Sequence, residues 1–340
     1  MAVGFPIKRM IKKLLLGDKT LPQQVTVALH EPQDEIAVWF QGLGAQRDVT
    51  SLHSIACASP FTVCVAFNSE EELHRECDGN RISLELRERR GAKRVLGRIG
   101  LRYSIAMAAG ESCLGLFKVR DCVNYCMPRV RFWAHYLQQL YWQWRDGKIP
   151  NVRMSALDAH AMMVMFICPR PVFFVTTMEG QTSNLFPMNL MGCLGKNYFS
   201  LALNSERLAS QSVKGALRVA LSSIPCEKAH IARQLGKQHL RSAVDWNLLP
   251  FQAMRSSLLD LPVPEFALRV IEMEIQTIKE LGSHTFFVAR VLHQQVFAEG
   301  ESFFMIHGIY QDVRVPGLNS DRIRVDGSVN GVSGSTSCRD

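Results

Sequence analysis

From residue 24 onward, short apolar runs alternate with polar or glycine-containing stretches, and the spacing of the apolar positions follows two different periods. VTVAL, EIAVWF and FTVCVAF, within residues 24–67, are short and rich in β-branched and aromatic residues, which predicts strands. RISLELRER sets Ile82, Leu84 and Leu86 between polar neighbours, and GLFKV at 115–119 continues the strand signal. The period then changes. Trp133, Tyr136, Leu137, Leu140, Tyr141 and Trp144 fall on one face of a helix over 128–146, with Pro128 near its start and Gly147 after its end. A stripe of this aromatic content is expected to be core, its polar tips suited to a seam between domains.

A second pattern begins beyond DGKIPNVRM, at 146–154, where we expect a domain boundary. Ser155 and Asp158 have the spacing of a capping box with Asp in place of Glu, so a short helix should follow. PVFFVTT reads as a buried strand, EGQTSN as a turn, FSLALN as another strand and ALRVALSS as a third. Short helices are expected between Ser205 and Gly215 and in EKAHIARQLGKQ. Ile271, Met273 and Ile275 oppose Glu272, Glu274 and Gln276 in a long strand, and TFFVARVL supplies its partner. Antiparallel strands joined by short helices predict a small closed barrel. After Pro316 the chain turns Gly- and Ser-rich and loses its apolar periodicity, which predicts a disordered tail over 316–340.

Composition adds limits. With 340 residues, 47% of them hydrophobic and 21% charged, the chain is expected to be globular and to form two units. No apolar run is long enough for a membrane span, and the first 17 residues lack the build of a signal peptide, so a cytoplasmic location is expected. That segment alternates Lys8, Arg9, Lys12 and Lys13 with apolar residues, a pattern that suits packing on the body or lying on an anionic membrane surface. The net charge of +8 is concentrated in the first half, densest from Arg87 to Arg102. Aromatic residues do not interleave with this run before Tyr103, so it reads as a solvated face and not as a nucleic-acid site. Ten cysteines show no CxxC pair and no zinc spacing, which predicts buried reduced thiols. GLGAQR at 42–47 fails the dinucleotide glycine pattern at Arg47, and neither a P-loop nor a G-x-S-x-G elbow is present.

Three blocks carry a resemblance. CPRPVFFVTTMEGQTSNLFPMNLMG at 168–192, FSLALNSERLASQSV with SSIP at 199–225, and LGSHTFFVARV at 281–291 occur in the order of the flavin reductase-like FMN-binding proteins. Over about residues 155–311 the chain resembles that family, departing from it at Ser283, where many members have Asp, and at Ala289, where they have Gly. The resemblance implies an α+β, mainly β fold: an antiparallel FMN-binding split barrel with short helices at 151–315. It would be preceded over 1–150 by a small β-rich domain of unassigned role that ends in the long amphipathic helix.

It also implies a flavin-dependent oxidoreductase that takes hydride from NADH or NADPH, binds FMN with FAD also admitted, and forms a homodimer. A non-catalytic FMN carrier that docks a redox partner is the alternative. A flavin site needs an apolar slot, a few oriented donors and a phosphate cradle. Ser183, Asn184, Phe186, Pro187, Met188 and Asn189 offer the first two, with Thr177 and Ser222–Ser223 on the adjoining strands. Arg207 and Ser210 on the short helix, with Ser205 near its start, would hold the phosphate, and Arg170 would be a second charge partner. His284 is the candidate catalytic residue, with an unperturbed pKa near ~6.5 that admits either charge state at pH 7. Tyr310 either covers the flavin or closes the barrel.

Overall fold

The computed structural model describes residues 24–31, 35–67, 81–89, 93–110, 112–145 and 152–311. The amphipathic N-terminal segment, most of the expected boundary at 146–154 and the tail at 316–340 lie outside the described residues.

In chain order the first half contains β1 (Gln24–Leu29), β2 (Ile36–Gln41), β3 (Arg47–Asp48), β4 (His53–Ala58), β5 (Phe61–Phe67), β6 (Ser83–Glu88), β7 (Val95–Ala109), β8 (Ser112–Asn124) and α1 (Arg129–Arg145). Next come α2 (Ala156–Met165), β9 (Arg170–Pro171), β10 (Phe173–Glu179), β11 (Thr182–Met188), β12 (Met191–Cys193), β13 (Tyr198–Asn204), α3 (Leu208–Ala216) and β14 (Arg218–Ser223). The chain continues through α4 (Ala229–Gln234), β15 (Ala253–Arg255), β16 (Pro262–Pro264), β17 (Arg269–Leu281), β18 (His284–Val296), β19 (Ser302–His307) and α5 (Gly308–Gln311).

Two seven-stranded antiparallel sheets dominate. In the first the order is β3-β2-β6-β7-β8-β5-β4, and in the second β11-β10-β14-β17-β18-β13-β12. Each sheet curls around its own apolar filling. Phe40, Phe61, Val63, Leu84, Ile99 and Phe117 fill the first, and Val175, Phe186, Leu201, Val219, Ile271 and Phe287 the second. The long hairpins β7–β8 and β17–β18 supply the bend through bulges, since an extra residue on one strand increases local twist. At their tips Gly110 and Gly282 take φ of 58° and 55°, the left-handed region that a two-residue turn demands and side-chain-bearing residues avoid.

Smaller elements stitch the halves together. β1 pairs with β19, and β19 with β9, so a strand from the start of the chain completes a three-stranded sheet near its end. Helix α2 begins with the expected capping box: the Ser155 hydroxyl accepts from Asp158 N at 3.1 Å, and the Asp158 carboxylate accepts from Ser155 N at 3.3 Å. Its Ala161, Val164 and Met165 sink into the core of the first barrel. Asp158 also accepts from Phe61 N at 2.7 Å and from the Ser59 hydroxyl at 3.2 Å, which fixes the turn between β4 and β5.

Helix α1 forms close to where the periodicity predicts it, but the expectation that its stripe is core is corrected. Trp133, Leu137, Leu140, Tyr141 and Trp144 are exposed, Trp144 at 77%. The helix is anchored instead by Phe132, which is buried and stacks on His160 of α2 at 4.1 Å. Phe132 and the half-buried Tyr136 reach the body, and the residues beyond them on the apolar face stay in solvent. Of the basic run, Arg87 pairs with Glu85, Arg89 with Asp48 and Arg94 with Glu88. No disulfide joins the described cysteines, of which Cys57, Cys64, Cys113 and Cys168 are buried. Among the described residues no helix is long and apolar enough to cross a membrane, and no cluster of side chains has the make-up of a metal site.

Candidate functional site

The end of β11, the start of α3 and the start of β18 converge on one cavity of about 260 Å³. Phe186, Pro187, Met188, Asn189, Arg207 and His284 line it, together with Leu190, Leu203 and Asn204. Strand β11 reaches this point because Met188 pairs with Phe173 and Pro187 with Phe174, which carries the segment across the mouth of the barrel. Proline is tolerated there because β11 is an edge strand of the sheet, where a missing N–H costs no ladder bond.

The rest of the expected set is distributed differently. EGQTSN is not all turn: β11 begins at Thr182, so Ser183 and Asn184 lie in a strand. Both are tied to a later segment. The Ser183 hydroxyl accepts from Trp246 Nε1 at 2.7 Å, and the buried Asn184 amide donates to the Arg241 carbonyl at 2.8 Å. Thr177 is buried opposite Asn184 and Val219. Ser222 is buried in β14, its hydroxyl without a hydrogen-bond partner.

The expected phosphate cradle is altered at Ser205. Its hydroxyl donates to the Glu280 carboxylate at 3.2 Å, and Glu280 also holds Lys214 at 2.5 Å and Thr285 at 2.9 Å. An ionised carboxylate beside this hydroxyl disfavours a phosphate there. Arg207, not Ser205, is the N-cap residue of α3, and Ser210 turns into the protein interior with no partner for its hydroxyl. Arg207 stays at the cavity, next to the positive end of the helix.

Arg170 and Ser223 line a second cavity, of about 280 Å³, which shares Asn189 and Leu190 with the first and is walled on its other side by Thr50, His53 and Ser54 of the first barrel. Ser223 is used in the backbone frame, its hydroxyl bonded to Arg269 N at 2.8 Å and the Arg269 carbonyl at 3.3 Å. The Arg170 guanidinium is buried over the Phe166 ring at 3.1 Å with no hydrogen-bond partner, and burial lowers its pKa to about 9. Tyr310 is buried against the first barrel, away from both cavities.

The flavin reductase like domain family matches residues 165–314. This part of the chain belongs to that family. The flavin reductase-like domain is similar to the NADH:FAD oxidoreductase SgcE6 of Streptomyces globisporus C-1027, with 17% identity and a TM-score of 0.39 over 44% of this chain and 88% of that one. It is also similar to BorF, the flavin reductase component of a bacterial two-component tryptophan halogenase, with 15% identity and a TM-score of 0.39 over 44% and 92% of the two chains. For an FMN-binding protein from Thermus thermophilus the values are 20% identity and 0.33 over 38% and 71%. No curated protein sequence matches the chain.

Both departures of the flavin reductase-like domain from the family pattern have a physical account. Ala289 is buried opposite Phe199 and Ile275, where its methyl fills barrel core. Ser283 accepts from Ser59 N at 3.0 Å and bonds His284 Nδ1 at 2.8 Å. With Ala58 N donating to the same Nδ1 at 3.4 Å, that nitrogen is the acceptor, which leaves the proton on Nε2. Burial lowers the His284 pKa to about 4, so the ring is neutral at pH 7 and not poised between two charge states.

His239, which also lines the cavity, was not singled out by the sequence. Burial and, to a lesser degree, the Arg207 charge lower its pKa, while its Nδ1 is held by the Gly236 carbonyl at 2.6 Å. It follows a short helix with no motif around it, so no spacing could have marked it. The turn at Ala58–Ser59 was also missed, because it lies in the half where no family resemblance was seen.

Proposed function

We propose that the chain is a flavin-dependent oxidoreductase of the NAD(P)H:flavin reductase type, with FMN held in the cavity at Phe186–Asn189. The observation that carries this reading is the convergence of Pro187, Met188, Asn189, Arg207 and His284, from three separate stretches of chain, on one part-apolar cavity. Phe186, Met188, Leu190 and Leu203 give the cavity the apolar lining that a tricyclic ring needs. The fit is supported by an unspent donor: the Asn189 side-chain N–H finds only the Met305 thioether, at 3.5 Å, an acceptor it would give up for a ring carbonyl. Arg207 supplies the cation for a phosphate, and the neutral His284 supplies a fixed hydrogen-bond donor that takes no part in acid–base exchange at pH 7. A bound flavin would supply the hydride-accepting chemistry, and the protein's share is to hold, orient and shield it.

The purified protein should carry or take up a yellow flavin whose absorbance bleaches anaerobically on addition of NADH or NADPH. Bound flavin that neither nicotinamide reduces would favour the second reading, a flavin carrier that docks a redox partner, for which the exposed aromatic face of α1 speaks. A colourless protein that refuses FMN would remove both. Arg207→Ala should weaken FMN binding more than riboflavin binding, while equal losses, or a larger FMN-selective loss in Arg170→Ala, would move the phosphate to the second cavity.

A further inference from the structure

One pentapeptide occurs twice with a single change, as Ala66-Phe67-Asn68-Ser69-Glu70 and as Ala202-Leu203-Asn204-Ser205-Glu206. Ala66 lies near the end of β5 and Ala202 near the end of β13, and their N–H groups donate to Leu52 and Leu190, respectively, at 2.8 and 2.9 Å. The likeness extends to the whole of both sheets. Laid over one another, the two strand orders equate β3 with β11, β2 with β10, β6 with β14, β7 with β17, β8 with β18, β5 with β13 and β4 with β12, each in chain order.

The irregularities coincide as well. The β7–β8 ladder slips between Gly100 and Leu101 and between Tyr103 and Ile105; the β17–β18 ladder slips between Glu272 and Met273 and between Ile275 and Thr277. Counted back from the turn glycines Gly110 and Gly282, these are the same positions. Bulges are placed individually in a sheet, so two in the same register are a strong mark of common descent.

The equated strands also face each other. A cluster between the sheets joins Ala66, Leu114 and Leu116 to their counterparts Ala202, Phe286 and Val288. A Cβ on Gly192 would lie 2.7 Å from the His53 carbonyl and 2.9 Å from Ser54 Cβ, and Ser54 is the residue equivalent to Gly192. At the two hairpin tips, a Cβ on Gly282 would collide with the Ser59 carbonyl and one on Gly110 with the Tyr198 hydroxyl, each across the seam. Reciprocal contacts of this kind define an isologous, two-fold interface.

We infer that the first half is a diverged copy of the flavin reductase-like barrel that serves as a built-in partner subunit, so that one chain makes one complete flavin site and one blank counterpart. The inference rests on reading the Phe186–Asn189 cavity as the flavin site. The first barrel completes that site with its β4–β5 turn: Ser59 and Ser283 exchange bonds, Ser59 N to Ser283 Oγ at 3.0 Å and Ser283 N to Ser59 O at 2.8 Å, and Ala58 N reaches His284 Nδ1. The counterpart depression is lined by Leu52, Ala66, Phe67 and Gly110 and, from the second barrel, by Lys196, Tyr198 and Arg290, and it lacks the equivalents of His284 and Pro187. Ser112 stands where the other barrel has His284, and Asp48 where it has Pro187. The Tyr198 phenol presses on its turn glycine.

The full-length protein should run as a single species of 38.3 kDa by light scattering at all concentrations and bind one flavin per chain. Gly282→Ala, whose methyl meets the Ser59 backbone carbonyl, should weaken flavin binding at least about tenfold, because a displaced turn misplaces His284, while Gly110→Ala at the blank side, whose methyl meets the end of the Tyr198 side chain, should change it by less than about twofold. Paired cysteines in Ser54→Cys with Gly192→Cys should close a disulfide within one chain. Two flavins per chain, equal losses from the two glycine variants, or a disulfide that links two chains would each overturn the inference. A monomer with the intrachain disulfide and no flavin binding would leave the built-in partner standing and remove the flavin reading alone.

Discussion

At the corner where the second barrel carries Pro187 and Asn189, the first carries Asp48 and Thr50. In the first barrel these groups satisfy one another: Asp48 accepts from Thr50 N at 2.9 Å, from the Thr50 hydroxyl at 2.5 Å and from Arg89 at 2.8 Å, while Thr50 Oγ1 accepts from Val38 N at 2.9 Å. In the second, Asn189 has a thioether as its side-chain acceptor and the Arg170 guanidinium has no hydrogen-bond partner. The same backbone corner has thus been finished in two ways. One saturates its polar atoms and contributes to stability; the other keeps donors available at a cost, as binding sites do.

The largest expected effect tests whether the two barrels are one folding unit. Phe286→Ala, which empties the seam, should cost about 3–5 kcal/mol and its counterpart Leu114→Ala about 2–5 kcal/mol. Urea unfolding of either variant should still show one transition, and two resolved transitions would mean that the halves fold independently. Acid comes next. The folded His284 binds its proton less readily than the unfolded chain, so stability is intact above pH ~6.5 and is lost as pH falls toward 4, by about 3 kcal/mol. His307, whose pKa burial lowers to about 3, adds in the same direction. Ser112 cannot contribute such a loss, so His284→Asn should flatten the stability profile between pH 4 and 6.5, and an unchanged slope would place the acid-sensitive group elsewhere.

Asp158→Ala should cost about 1–3 kcal/mol, since it removes a helix cap and frees the Phe61 N–H. It should also slow flavin reduction, because Asp158 holds the turn that abuts His284; a stability loss with unchanged reduction would separate the two roles. The smallest effect belongs to α1. Trp144→Ser should leave the free energy of urea unfolding within about 0.5 kcal/mol of the parent, and a larger loss would show that its ring is covered in solution.

Much of the second barrel was legible in the sequence because alternation is a local signal. Ile271, Met273 and Ile275 mark β17 by themselves, and the family blocks place its neighbours. The grouping of candidate residues around one cavity was legible where they come from one segment, at Phe186–Asn189, and not where it depends on distant pairing. Nothing near Ser205 in the chain reveals Glu280, and nothing near Ser183 and Asn184 reveals their bonds with Trp246 and Arg241. The α1 stripe was misread because periodicity reports which residues share a face, not whether anything covers it. In the first half the strands were recognised but their arrangement was not, although the repeated Ala-x-Asn-Ser-Glu was there to find.

The seam at Gly192 and Ser54 has a further consequence for how this protein can change. Where two identical chains meet, every substitution occurs twice and acts on both sides of the axis at once. With both barrels encoded in one chain, a substitution occurs once, so Tyr198 could grow over one hairpin tip without a second tyrosine obstructing the tip beside His284. Fusion releases the two faces from sharing a single genetic instruction, and it makes their meeting independent of dilution.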